Sequence, residues 1–161
     1  MRTRHRIALV ATILLTLSAC SATDQTAETP PDRADSAGAS AGADGPPPTA
    51  EERAEAEEVA VRFLDAANAG DEEAVAEVFA EDARFDSVGR IYPSRADIMD
   101  RFLVPEVLDV GGSYEVVETR WEGDRHVVHY DFETGRGGRE SFTYAYLVRD
   151  GLIQDVVGRY L

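Results

Sequence analysis

The chain has 161 residues, 16 basic against 31 acidic, and a formal net charge of −15. That length holds one ordinary domain with room for extra segments, and the acidic excess excludes a nucleic-acid partner, because phosphate contacts need a basic footprint. Cys20 is the one cysteine and every basic residue is arginine, which excludes an internal disulfide, a Cys-cluster metal site, a lysine Schiff base and a Walker-type lysine, so no cofactor is called for.

At the start, Arg2, Arg4 and Arg6 form a positive region ahead of an apolar run from Ile7 to Leu17. That run falls short of the roughly 20 residues a bilayer-spanning helix needs. It ends in Leu17-Ser18-Ala19-Cys20, which resembles the bacterial lipobox. The resemblance implies that residues 1–19 are a lipoprotein signal peptide. Cys20 would then be the new N-terminus, its thiolate alkylated by a diacylglyceryl group. The plainer alternative is an ordinary signal peptide in which Cys20 is incidental. With the lipid, the chain is expected at the extracytoplasmic face of the cell membrane, held by two or three acyl chains where one would not suffice. Losing three arginines and no acid takes the charge from −15 to −18. Anionic headgroups repel such a body, so the lipid has to do the anchoring.

From Ser21 to Pro48 there is no aromatic residue and no Leu, Ile or Val. Such a stretch cannot bury enough apolar surface to offset its ordering entropy, so residues 20–48 are predicted to be a disordered tether. As a flexible coil it would reach roughly 30 Å, stiffened locally by Pro46-Pro47-Pro48.

Order is predicted over 49–161. Thr49 followed by Glu52 is a capping box. Ala56, Val59, Ala60, Phe63, Leu64 and Ala67 then recur on one helical face, and Gly70 suits the stop. Asp71 caps a second helix with Glu72 and Glu73 in its first turn and Val75, Val78 and Phe79 as its buried side. Short strands are expected around Arg84–Val88 and Arg90–Tyr92, with a turn at Gly89. Ser94 with Asp97 opens a third helix that carries Ile98, Met99 and Phe102 inward until Pro105 ends it. After Gly111-Gly112 the pattern is strand-like: Tyr114–Trp121, Arg125–Glu133, Arg139–Val148 and Leu152–Tyr160, separated by Gly123-Asp124, Gly135–Gly138 and Asp150-Gly151. Three helices followed by an antiparallel meander make an α+β domain with the helices on one face of a curved sheet.

Arg62-Phe63-Leu64-Asp65-Ala66-Ala67-Asn68-Ala69-Gly70-Asp71, with Val78-Phe79-Ala80-Glu81-Asp82-Ala83-Arg84-Phe85, resembles the opening of the NTF2-like superfamily. The likeness is to its SnoaL-like and ketosteroid-isomerase-like branches, and it covers about residues 51–161. It implies a cone in which the sheet wraps a long helix and leaves a pocket at the open end, an architecture that hosts enzymes, binding proteins and scaffolds alike. The isomerase branch places its oxyanion-stabilising tyrosine at Phe63, which has no hydroxyl. Its general base falls near Ser87, with Asp86 one residue earlier and on the opposite strand face. Its second acid falls near Tyr144 or Ala145. Enolisation needs an oxyanion donor and a base, so isomerase activity is not expected.

His126-x-x-His129 looks like a metal pair, but residues three apart on a strand face opposite sides unless the strand is bulged. One half-buried and one exposed histidine is the alternative. Gly135-Arg136-Gly137-Gly138 resembles a phosphate cradle only in composition, since it joins two strands. If His126, Val128, Tyr130 and Phe132 face the helices, then Val127, His129, Asp131 and Glu133 face out. On the next strand Phe142, Tyr144, Tyr146 and Val148 form the more aromatic face. Phe63, Tyr92, Phe102, His126, Tyr130 and Tyr144 would then line an apolar pocket, or else simply fill the core. The leading expectation is a non-catalytic domain that binds a small apolar ligand or another envelope protein, with homodimerisation as a further option. The alternative is a SnoaL-like dehydratase, cyclase or isomerase on an apolar substrate, taking its acid and base from Asp86, His126, Tyr130 or Tyr144.

Overall fold

A computed structural model describes residues 47–161; the readings of the signal peptide, of Cys20 and of the tether as far as Pro46 lie outside them. Helix α1, Ala50–Ala69, starts where Thr49 turns extended and its hydroxyl accepts the Glu52 N–H. The Glu52 carboxylate accepts the Thr49 N–H in return at 2.7 Å, so two of the helix's orphan donors are satisfied reciprocally. The helix ends at Gly70, in the left-handed region at φ 68°. Val59 and Phe63 are fully buried on its inner face, whereas Leu64 lies at the edge of that face and is only partly buried.

Helix α2, Glu72–Glu77, is shorter than the pattern predicts. Val78 caps it, and Phe79 already opens strand β1, Phe79–Ser87. Positions 75, 78 and 79 fit a helical period, but sheet pairing wins here: the Val78 carbonyl accepts the Ile153 N–H at 2.8 Å, and the Phe79 ring meets the Phe63 ring edge-on at 6.0 Å. Six residues give a helix little cooperativity with which to resist. Strand β2 is Arg90–Tyr92.

Ser94 caps helix α3, Arg95–Ile98. The helix does not stop at Pro105. It widens into a π-helical segment, Met99–Leu108, that contains the proline. In this winding each N–H reaches five residues back, as at Asp109 to Val104 (2.9 Å) and Gly112 to Val107 (2.8 Å). Pro105 therefore removes one donor without ending the coil. π turns are rare and recur at functional sites.

Strands β3 (Ser113–Glu122), β4 (Arg125–Glu133), β5 (Arg139–Arg149) and β6 (Leu152–Tyr160) complete one sheet of order β2-β1-β6-β5-β4-β3. β3 to β6 form the expected antiparallel meander, but β6 also pairs in parallel with β1. Asp150 and Gly151 both take positive φ, 53° and 71°, the turn that matches the strands' twist. The helices cover the concave face, where the rings of Tyr114, Tyr144 and Tyr146 pack around Phe63, and Tyr130 and Phe142 pack in turn on Tyr144. On the convex face Arg84 and Arg125 hold Asp155 at 2.9 and 2.7 Å. Val127, which the alternation sends to that face, is nonetheless buried.

Candidate functional site

Between the π-helical segment, the β1–β2 hairpin and the ends of β4 to β6 lies a cavity of about 180 Å³. Strand alternation puts Phe85 and Ser87 on its side of β1, and the widened helix brings Phe102, Glu106 and Val107 over it. Its walls are aromatic: Phe102, Tyr114, Phe132, Phe142 and Tyr144. These rings hold one another, with Phe142 4.7 Å from Tyr144, Tyr114 4.8 Å from Phe132, and Phe85 5.1 Å from both Phe102 and Tyr144.

Tyr114 is buried, and its hydroxyl has no hydrogen-bond partner among the described residues. Its backbone is fixed instead. Asn68, at the end of α1, accepts the Tyr114 N–H at 2.7 Å and donates to the Tyr114 carbonyl at 3.0 Å. Burial pushes the Tyr114 phenol above its ordinary range, opposed by the nearby Tyr144 hydroxyl, and burial raises Tyr144 likewise. Both phenols therefore remain neutral donors through the ordinary pH range. Deeper in the core, the Tyr130 and Tyr146 hydroxyls satisfy each other at 3.0 Å.

Charge is confined to the rim, where Arg90 and Arg159 are paired with carboxylates. Arg90 grips both oxygens of Glu106, at 2.8 and 2.7 Å. The Tyr160 hydroxyl reaches Glu140 at 3.5 Å. The rim hairpin is strained: Val88, which is β-branched, sits at φ 52° beside Gly89 at φ 92°, and the Asp86 carboxylate pins the turn by accepting the Gly89 N–H at 2.6 Å. A residue held there costs on the order of 1–3 kcal/mol.

The six residues expected to line one pocket are divided. Phe102 and Tyr144 line the cavity. Phe63 and Tyr92 are buried in the aromatic packing, Tyr92 stacked on Phe102 at 5.2 Å. His126 and Tyr130 border a separate groove between α1 and strands β3 and β4. The four groups weighed as acid or base are not assembled either, because Asp86 turns to the convex face, 3.6 Å from Arg84 and 3.5 Å from Arg159. Ser87 does line the cavity. Ala145 backs away from it, since its neighbour Tyr144 points in.

His126 and His129 lie on opposite faces, as strand alternation requires. His126 is buried rather than half-buried, stacked on Trp121 at 5.3 Å. His129 is 4.0 Å from Asp131. No group of three or more metal-ligating side chains is gathered among the described residues. The glycine-rich loop at 135–138 closes a hairpin, with the Thr134 N–H on the Gly138 carbonyl at 2.9 Å.

Sequence reasoning missed Tyr114, Phe132, Asn68 and the Arg90–Glu106 pair as parts of the site. Alternation along β3 would have aimed Tyr114 inward, but a bulge between Val116 and Glu118 breaks the period.

The sequence profile of the SnoaL-like domain matches residues 60–156. No curated protein sequence matches the chain. Three solved structures show the same fold at low identity. An NTF2-like protein of unknown function from Mesorhizobium loti is 20% identical at TM-score 0.61, the match covering 71% of this chain and 96% of that one. A provisionally assigned ketosteroid isomerase from Kribbella flavida is 22% identical at 0.59, covering 67% and 78%. A provisionally assigned polyketide cyclase from Sinorhizobium meliloti is 23% identical at 0.57, covering 63% and 94%. Helices packed on a curved, mainly antiparallel sheet, and a sequence profile that runs from α1 into β6, together place this chain in the SnoaL-like domain family, with the NTF2-like α+β cone fold.

Proposed function

We propose that the chain is a lipid-anchored extracytoplasmic protein whose cavity binds a small apolar ligand through one hydrogen-bond acceptor and does not transform it. The Tyr114 hydroxyl carries the reading. A buried donor without a partner costs about 1–3 kcal/mol, and this one belongs to a side chain that lines the aromatic cavity. A carbonyl or ether oxygen on a ligand would take that donor while its carbon frame packs on Phe102, Phe132 and Phe142. Such an arrangement, apolar walls with few polar groups, suits a small molecule.

The absence of turnover rests on which groups reach the ligand. Ser87 stands where the isomerase branch has its base, and a serine without a paired histidine is a poor proton acceptor. Glu106 is held at the rim by Arg90. A second reading is favoured by the same two phenols: Tyr114 and Tyr144 would polarise a carbonyl, and two structures of this fold are assigned as a polyketide cyclase and a ketosteroid isomerase.

Calorimetry and product analysis separate the two, using the detergent-solubilised full chain and a panel of apolar ketones and polyketide-like compounds. Binding without product, weakened in Tyr114→Phe and abolished in Tyr144→Trp, is expected. Product formation that is lost in Tyr114→Phe or Tyr144→Phe would overturn the reading.

A further inference from the structure

The rings that wall the cavity have no room to retreat. Phe132 lies over Gly112, where a Cβ would come within 2.6 Å of the ring. Tyr144 lies on the bare backbone of Gly158. Phe102 is stacked on Tyr92, which is itself 4% exposed. The strand behind Tyr114 is tied to α1 by the two Asn68 hydrogen bonds. Packing of this kind yields only at the cost of strain, so the volume of about 180 Å³ is a ceiling on what the walls can enclose. An apolar cavity of about 150 Å³ holds one benzene ring, whereas sites that enclose drug-sized ligands start at about 300 Å³.

The mouth limits width in the same way. Arg90 on the β1–β2 hairpin holds both oxygens of Glu106 on the π-helical segment, and its guanidinium lies 5.9 Å from the Phe102 ring. A wide ligand would have to part these two elements and give up that bidentate pair. Two apolar residues of the lining reach solvent, Val88 at 44% and Tyr160 at 58% exposure. They offer surface to a chain that leaves the cavity. Both cations of the lining, Arg90 and Arg159, already have carboxylate partners, so a neutral ligand is favoured over an anion.

We propose that the ligand is a neutral aromatic compound of one ring that bears a ketone, aldehyde or ester oxygen, and that fused ring systems are excluded by size. The inference rests on the binding reading above for the oxygen, and on the backed walls for the ring count. A single flat ring can meet Phe102, Phe132, Phe142 and Tyr144 at tilted angles, as Phe142 already meets Phe132 and Tyr144, the geometry that ring quadrupoles prefer. Its oxygen would take the Tyr114 hydrogen. A four-ring steroid skeleton would leave most of its carbon frame outside.

Titration calorimetry on the detergent-solubilised full chain, with empty micelles as the blank, tests the ring count with acetophenone, 1-acetylnaphthalene and a four-ring steroid ketone. Acetophenone should bind, 1-acetylnaphthalene should bind about tenfold more weakly, and the steroid should not bind. Phe132→Leu removes a wall ring and keeps an apolar side chain. It should bring 1-acetylnaphthalene to within about twofold of acetophenone, with a cooperative melt showing that the variant folds. Phe102→Leu opens another wall and serves if Phe132→Leu does not fold. Binding of the two-ring or four-ring ketone to the parent chain as tightly as acetophenone would overturn the ring limit and leave the acceptor reading standing. Ethylbenzene, which lacks the oxygen, isolates the other failure: affinity equal to that of acetophenone would overturn the acceptor and leave the ring limit standing. No binding of any of the four compounds would overturn both.

Discussion

Tyr144 on β5 lies directly opposite Gly158 on β6, and a Cβ at Gly158 would sit 3.2 Å from both the Tyr144 ring and the Asp86 carbonyl oxygen. The bare backbone at 158 is what lets the ring lie back and leave the cavity open, an aromatic side chain covering a strand glycine. Gly158→Ala should force the ring toward the cavity, because the other neighbour is backbone and cannot yield. Overpacking of this kind costs about 1–3 kcal/mol. Thermal melts should register that loss, and calorimetry a weaker cavity ligand.

Asn68 fixes Tyr114 through two hydrogen bonds that cross from helix to strand. Asn68→Ala leaves the Tyr114 N–H and carbonyl without those partners, and each unsatisfied buried group costs about 1–3 kcal/mol. Stability should fall by that order, and ligand affinity should fall further as the phenol loses its position. Asn68→Asp keeps an acceptor for the N–H and should fall between the two. Denaturant melts with parallel binding isotherms check the ranking.

His126 gives a pH dependence of definite sign. Burial lowers its pKa from 6.5 in the folded chain, and the Glu57 charge opposes this only in part. Between the folded value and 6.5 the unfolded chain binds the extra proton, so stability rises with pH through that window and is lost as pH falls through it. His126→Phe should flatten the profile of melting temperature just below pH 6.5. A slope equal to that of the parent chain would show that other groups set it.

The anchoring proposed above predicts a fractionation result. Cys20→Ser should release the protein from the membrane fraction or leave it uncleaved, and intact-mass analysis of the parent should show acyl chains at Cys20. Membrane retention without an acyl mass would exclude a lipid anchor.

Local signals were the legible ones. Thr49 with Glu52, Asp71, Ser94 and Asp150-Gly151 each satisfy backbone groups within a few residues, so composition at those points suffices. What was lost depends on distant partners. Phe79 obeys a helical period until Phe63 and Ile153 claim it for the sheet. Pro105 reads as a terminator unless the coil has already widened. The parallel union of β1 with β6 leaves no mark in either strand's own sequence. The cavity draws on α1 for Asn68, the π-helical segment for Glu106 and β3 for Tyr114, which no single stretch of the chain announces.

The place of β6 also bears on when this domain folds. It is the final strand in chain order yet lies inside the sheet, joining β1 to β5, and its ion pair between Arg84 and Asp155 closes a separation of 71 residues. Until residues near 155 have left the ribosome, β1 lacks its main partner and the concave face has no complete wall. Pairings of such sequence separation form late and slowly. A polypeptide of this order keeps its sheet open for most of its synthesis and closes around its aromatic interior only when strand β6 arrives.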